Sequence, residues 1–112
     1  TEIDARVFAR TRGEIADRRV FEEIGRLDPV PWQYFCVIPD FQSTGIKDGR
    51  RYMGWAAIIR AINTTDVMEV TVEHLPAELM DHLVQRIITE VPGINRVLYD
   101  YTPKPPATVE YE

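Results

Sequence analysis

The first ten residues alternate in character. Ile3, Ala5, Val7 and Ala9 face one way, and Asp4, Arg6, Phe8 and Arg10 the other, a period of two that predicts a strand over 2–10 with one face on a core. Thr11-Arg12-Gly13 breaks the alternation, and helical spacing follows. Ala16, Val20, Phe21, Ile24 and Leu27 form one apolar stripe over 14–27, which Asp28-Pro29-Val30-Pro31 ends. Trp32–Ile38 and Tyr52–Asn63 predict strands that are apolar on both faces. Between them, 39–51 is polar and rich in turn formers, and its Asp48-Gly49 pair is a two-residue hairpin signal. Asn63–Asp66 reads as a turn and Val67–Glu73 as a strand. Leu79, Met80, Leu83, Val84, Ile87, Ile88 and Val91 form the most regular stripe in the chain, with Pro76 at its start and Pro92-Gly93 at its end. Arg96–Tyr101 predicts a fifth strand. Thr102-Pro103-Lys104-Pro105-Pro106 predicts a stiff extended linker, and Thr108–Tyr111 a short edge strand.

This order, β-α-β-β-β-α-β with a terminal strand, predicts one α+β domain over 1–112. Both helices would connect strands as right-handed crossovers and cover one face of a mainly antiparallel sheet. The run Val70-x-Val72, the helix after it, and Val91-Pro-Gly-Ile94-x-x-Val97 resemble the second half of ferredoxin-like open-faced sandwiches. The resemblance covers about a third of the chain and implies an architecture, since that fold hosts many unrelated activities. The Cys-x-x-Cys of its metal-carrying members is absent, so metal transfer is not implied.

Composition refines the picture. At 112 residues, 45% hydrophobic and 28% charged, the chain has the make-up of an ordinary globular domain. Such a domain buries roughly two-thirds of its unfolded surface. No apolar run approaches the ~18 residues of a membrane span. Thr1-Glu2-Ile3-Asp4 has neither the basic start nor the apolar core of a signal peptide, and Cys36 has no partner for a disulfide, so the expected setting is cytoplasmic. Asn63-Thr64-Thr65 fits a glycosylation sequon and reads as a turn. The net charge of −5 argues against nucleic acid as a partner. It is unevenly spread. Residues 1–60 hold ten basic and nine acidic side chains, and 61–112 three and nine, a polarity that would help one copy meet another.

Four groups could carry chemistry. The 40–51 stretch gathers Asp40, Lys47, Arg50 and Arg51, with Tyr52 following; these are the candidate ligand-binding residues, suited to a small carboxylate or phosphate. Gly45-Ile46-Lys47 lacks the glycine pattern and Lys-Ser/Thr pair of a P-loop, and a protruding soluble hairpin or assembly arm would also explain the stretch. His74, Glu78 and His82 are spaced four and four, but Pro76 leaves His74 outside the helix, so no metal site is expected. Cys36, between Phe35 and Val37, reads as a buried small hydrophobe. Lastly, helices on one face leave the other open. Phe8, Tyr34, Trp55 and Ile59 are the candidate interface residues there, to be covered by a second copy, a ligand or another protein.

No acid–base or nucleophile constellation stands out, and no cofactor is expected. The chain therefore reads as a non-catalytic ligand-binding or regulatory domain. It would act as a homo-oligomer, with a small anionic metabolite or a partner enzyme as its other contact. The alternative is a small dimeric α+β enzyme acting on a polar or aromatic metabolite between helices and sheet, with Asp40 or His82 moving protons.

Overall fold

The computed structural model describes residues 5–66 and 69–108. Seven elements follow in the order α1 (Ala5–Ile24), β1 (Gln33–Val37), β2 (Gln42–Lys47), β3 (Arg50–Asp66), β4 (Glu69–Val72), α2 (Ala77–Glu90) and β5 (Ile94–Tyr99). The α+β class holds, with two helices and a mainly antiparallel sheet of five strands.

The beginning of the chain is a correction. Residues 5–10 form the first turns of α1, where alternation predicted a strand. The stripe Ala16, Val20 and Ile24, spaced four apart and fully buried, anchors the helix against the core. Ala5, Arg6, Ala9, Arg10 and Arg12 are strong helix formers that extend it backward. Phe21, assigned to the stripe, lies outside the core at 60% exposure and packs its ring against Tyr34 at 4.9 Å.

The stretch 39–51 is also more ordered than its polar composition predicts. Gln42–Lys47 pairs antiparallel with Arg50–Trp55, and the connecting Asp48-Gly49 turn has φ of 52° and 76°, the left-handed pair of a two-residue hairpin. The turn expected at Asn63–Asp66 is instead the end of β3, which passes a register shift between Thr64 and Asp66. Most of the edge strand expected at 108–111 lies outside the described residues.

β3 is the hub of the sheet. Ile58 and Ile59 pair with β1 on one side and with β5 on the other, so these strands flank β3, and Ile62 likewise separates β1 from β4. β5 runs parallel to β3 and β4 antiparallel to it, both along the same edge. β4 and β5 therefore follow one another along one neighbour, and the parallel crossover expected between them is not formed. Ala57, Ile59 and Ala61, alternating along β3, meet Val20 and Ile24 of α1 and Leu83 and Ile87 of α2 in one core, so both helices lie on one face.

Ion pairs join the two helices at their rim. Arg86 of α2 bonds Glu90 at 2.8 Å and Glu22 of α1 at 2.9 Å. The Arg86 guanidinium holds both carboxyls below the ordinary carboxylate value. Groups with a depressed folded pKa stabilise the fold above their unfolded pKa, near 4.5, and lose that contribution as pH falls through the folded value. Unfolding measured from neutrality down through pH 4.5 is thus expected to show a steeper stability loss in the wild type than in Arg86→Met. Equal slopes would mean that the pairs contribute nothing.

Candidate functional site

The hairpin tip gathers most of the predicted ligand residues. Lys47, Asp48, Arg50, Arg51 and Tyr52 line an open depression of about 670 Å³, all of them exposed. Asp40 stands apart in the β1–β2 connection. The depression thus presents three cations and one carboxylate, a lining that favours an anion over a cation. Behind it β5 is tied to β2, where the Asn95 side-chain amide donates to the Ser43 carbonyl at 2.8 Å and Arg96 donates to the Thr44 carbonyl at 3.3 Å.

The candidate interface residues are not brought together on the open face. Ile59 is 0% exposed and sits beneath the helices. Tyr34 and Trp55 are half-buried against that same core. Phe8 lies in α1, among residues whose side chains are not described. The register explains the difference, because a strand apolar on both faces carries no mark of which face turns inward. The open face instead carries Ile58, Leu98, Phe35 and Val37, which share β3 pairings on its even-numbered positions. Leu98 is 40% exposed, and the other three are half-buried.

At the centre of that open face lies a residue that the sequence pattern did not single out. Arg60 is 0% exposed, pairs with Asp100 at 3.1 Å, and donates to the carbonyls of Thr102 at 2.8 Å and Thr108 at 2.7 Å. A lone arginine in the run from Ala56 to Ile62 was its signal. Those partners lie 42 and 48 residues further along, beyond any local pattern.

The histidines separate. His82 on α2 pairs with the buried Glu23 of α1 at 3.1 Å, while His74 precedes the helix and contacts the Tyr101 hydroxyl. Among the described residues no three His, Cys, Asp or Glu side chains are placed to hold a metal ion. Burial pushes the Cys36 thiol up to about 12, with the nearby Asp17 carboxylate adding to the effect. Near neutral pH it is a thiol, unsuited to nucleophilic attack. No helix among the described residues is long and apolar enough to cross a membrane.

The model of the GMP synthase C-terminal domain matches residues 22–111. The chain belongs to this family. It is 48% identical over 81 residues to a glutamine-hydrolyzing GMP synthase of Campylobacter lari, covering 72% of this chain and 16% of that protein. A glutamine-hydrolyzing GMP synthase of Clostridium kluyveri is 40% identical over 99 residues, 87% of this chain and 19% of the relative. That of Symbiobacterium thermophilum is 41% identical over 100 residues, 87% of this chain and 19% of the relative. The chain thus spans less than a fifth of the length of these relatives. Membership corrects both functional expectations. The relatives are named as synthases, which overturns both the reading as a non-catalytic ligand-binding or regulatory domain and the alternative of a small dimeric α+β metabolite enzyme. The lack of a catalytic motif misled because an enzyme's domain need not carry one.

Proposed function

We propose that this chain is the C-terminal domain of a glutamine-hydrolysing GMP synthase, to which it contributes assembly surface and a cationic hairpin. The observation that carries this reading is the family match over 22–111. The one cysteine here is buried with its pKa raised to about 12, so it offers no thiolate nucleophile near neutral pH. The open sheet face supports assembly: Ile58, Leu98, Phe35 and Val37 would be covered by the same face of a second copy, two-fold pairing being the commonest form of oligomer. Lys47, Arg50 and Arg51 at the hairpin tip suit a phosphate-bearing ligand or an acidic neighbouring surface.

The test is a chimera. Residues 22–111 replace the matching segment of the Campylobacter lari enzyme, and glutamine-dependent GMP formation is assayed together with native mass. Activity within roughly tenfold of the parent, a barrier change of about 1.4 kcal/mol, is expected. A chimera that folds and makes no GMP would sink the assignment. In the same background, Ile58→Lys with Leu98→Lys is expected to halve the assembled mass. Unchanged mass would remove the sheet face from the reading while leaving the assignment standing.

A further inference from the structure

We propose that Arg60 is a positioning residue that straps the segment Asp100–Thr108 onto the sheet, so that the shape of this segment, and not the packing of the core, depends on its guanidinium.

The need for such a residue follows from the segment's own composition. Pro103, Pro105 and Pro106 have no backbone N–H, so the segment cannot hydrogen-bond along its length as an added strand would. Beyond Asp100, its backbone bonds to described residues include these. Lys104 exchanges both bonds with Val70, at 2.9 and 3.0 Å, and the Ala107 N–H donates to the Pro103 carbonyl at 3.0 Å. A side chain adds a hold of longer reach. The planar fork of Arg60 catches the carbonyls of Thr102 and Thr108, six residues apart, and closes the intervening chain into a loop on itself.

The register brings the third partner. Ile58 pairs with Leu98, so Asp100 comes opposite Arg60 on the same face, and the Asp100 N–H continues the ladder to the Ile59 carbonyl at 2.9 Å. A buried ion pair is a poor source of stability compared with apolar residues of the same volume. An arginine at this position, amid Ala56, Ile58 and Ile62, is therefore better explained by what it holds than by the packing it provides. The expected linker is a strap.

Amide hydrogen exchange on the 112-residue chain tests this, read at Lys104 and Ala107 in the strap and at Val91 in the core, whose N–H donates to Ile87. Arg60→Lys keeps the charge and loses the fork. It is expected to speed exchange at Lys104 and Ala107 by roughly tenfold or more and to leave Val91 nearly unchanged, as local opening does. Arg60→Ala should show the same pattern, and millimolar guanidinium should restore its strap protection by occupying the vacated site. Should Arg60→Ala not fold, Asp100→Asn is read at the same three amides, with the strap again expected to loosen alone. Unchanged strap amides would overturn the proposal. So would a parallel rise at Val91, which would make Arg60 a general packing residue, or a failure of guanidinium to restore protection in a folded Arg60→Ala.

Discussion

Ile59→Ala is expected to cost about 2–5 kcal/mol, the range for truncating a fully buried aliphatic side chain. Ile59 is 0% exposed, in the cluster where Val20 and Ile24 of α1 and Leu83 and Ile87 of α2 close over β3. Truncation leaves a cavity that two helices and a strand would have to collapse together to fill. In a domain of this size the melting temperature should fall by on the order of 10–20 °C. The adjacent Ile58 provides the comparison. It is half-buried on the opposite face, so Ile58→Ala should cost under about 1.5 kcal/mol, because fewer apolar contacts are lost. Urea unfolding with an unchanged slope measures both. A cost below about 1 kcal/mol for Ile59→Ala, or a larger cost for Ile58→Ala, would contradict the register that puts odd-numbered β3 residues beneath the helices.

That pair of isoleucines also marks where the sequence stops being legible. α2 could be read in full, because its stripe from Leu79 to Val91 has a single period and prolines bound it. The Asp48-Gly49 hairpin could be read because its turn needs left-handed residues that few sequences supply. β2 could not, since Gln42–Lys47 is largely polar and owes its extended form to pairing with β3. The first turns of α1 were misread because a short alternating run of Ala, Arg and Val suits strand and helix alike. Sidedness in β3 was hidden for a different reason. Only its partners' register, fixed by residues far away in the chain, decides whether Ile58 or Ile59 turns inward.

The same limit applies to the sites. The cations Lys47, Arg50 and Arg51 lie close in sequence, and the hairpin keeps them close in space. Arg60 and its partners come together only when β5 has docked beside β3 and the proline-rich segment has turned back. Family membership was out of reach for a related reason: the match is spread over residues 22–111, and no short motif within them stands out to carry it.

Gly54→Ala should be destabilising by about 1–3 kcal/mol, the usual range for forcing extra atoms into a filled site. A methyl group at Gly54 would stand 2.7 Å from the Gly93 carbonyl oxygen and 2.7 Å from the Asn95 side-chain nitrogen. The carbonyl is backbone and is already engaged, accepting from the Trp55 N–H at 2.8 Å. The Asn95 amide is engaged too, with the Ser43 carbonyl. Relief therefore requires β5 to move off β3 at the point where their register already shifts, between Trp55 and Ala56. β2 would lose its tie in the same movement, and with it the orientation of the hairpin that presents Lys47, Arg50 and Arg51. Gly13→Ala is the matching control and should act in the opposite direction. Its methyl would meet only the Ile38 side chain, at an ordinary 3.6 Å, and Ala is favoured over Gly in a helix by about 1 kcal/mol. Thermal melts of the two variants beside the wild type should thus fall on opposite sides of it, with faster amide exchange at Trp55 in Gly54→Ala alone. A Gly54→Ala protein as stable as the wild type would mean that β3 and β5 do not approach this closely, and that Asn95 does not brace the hairpin.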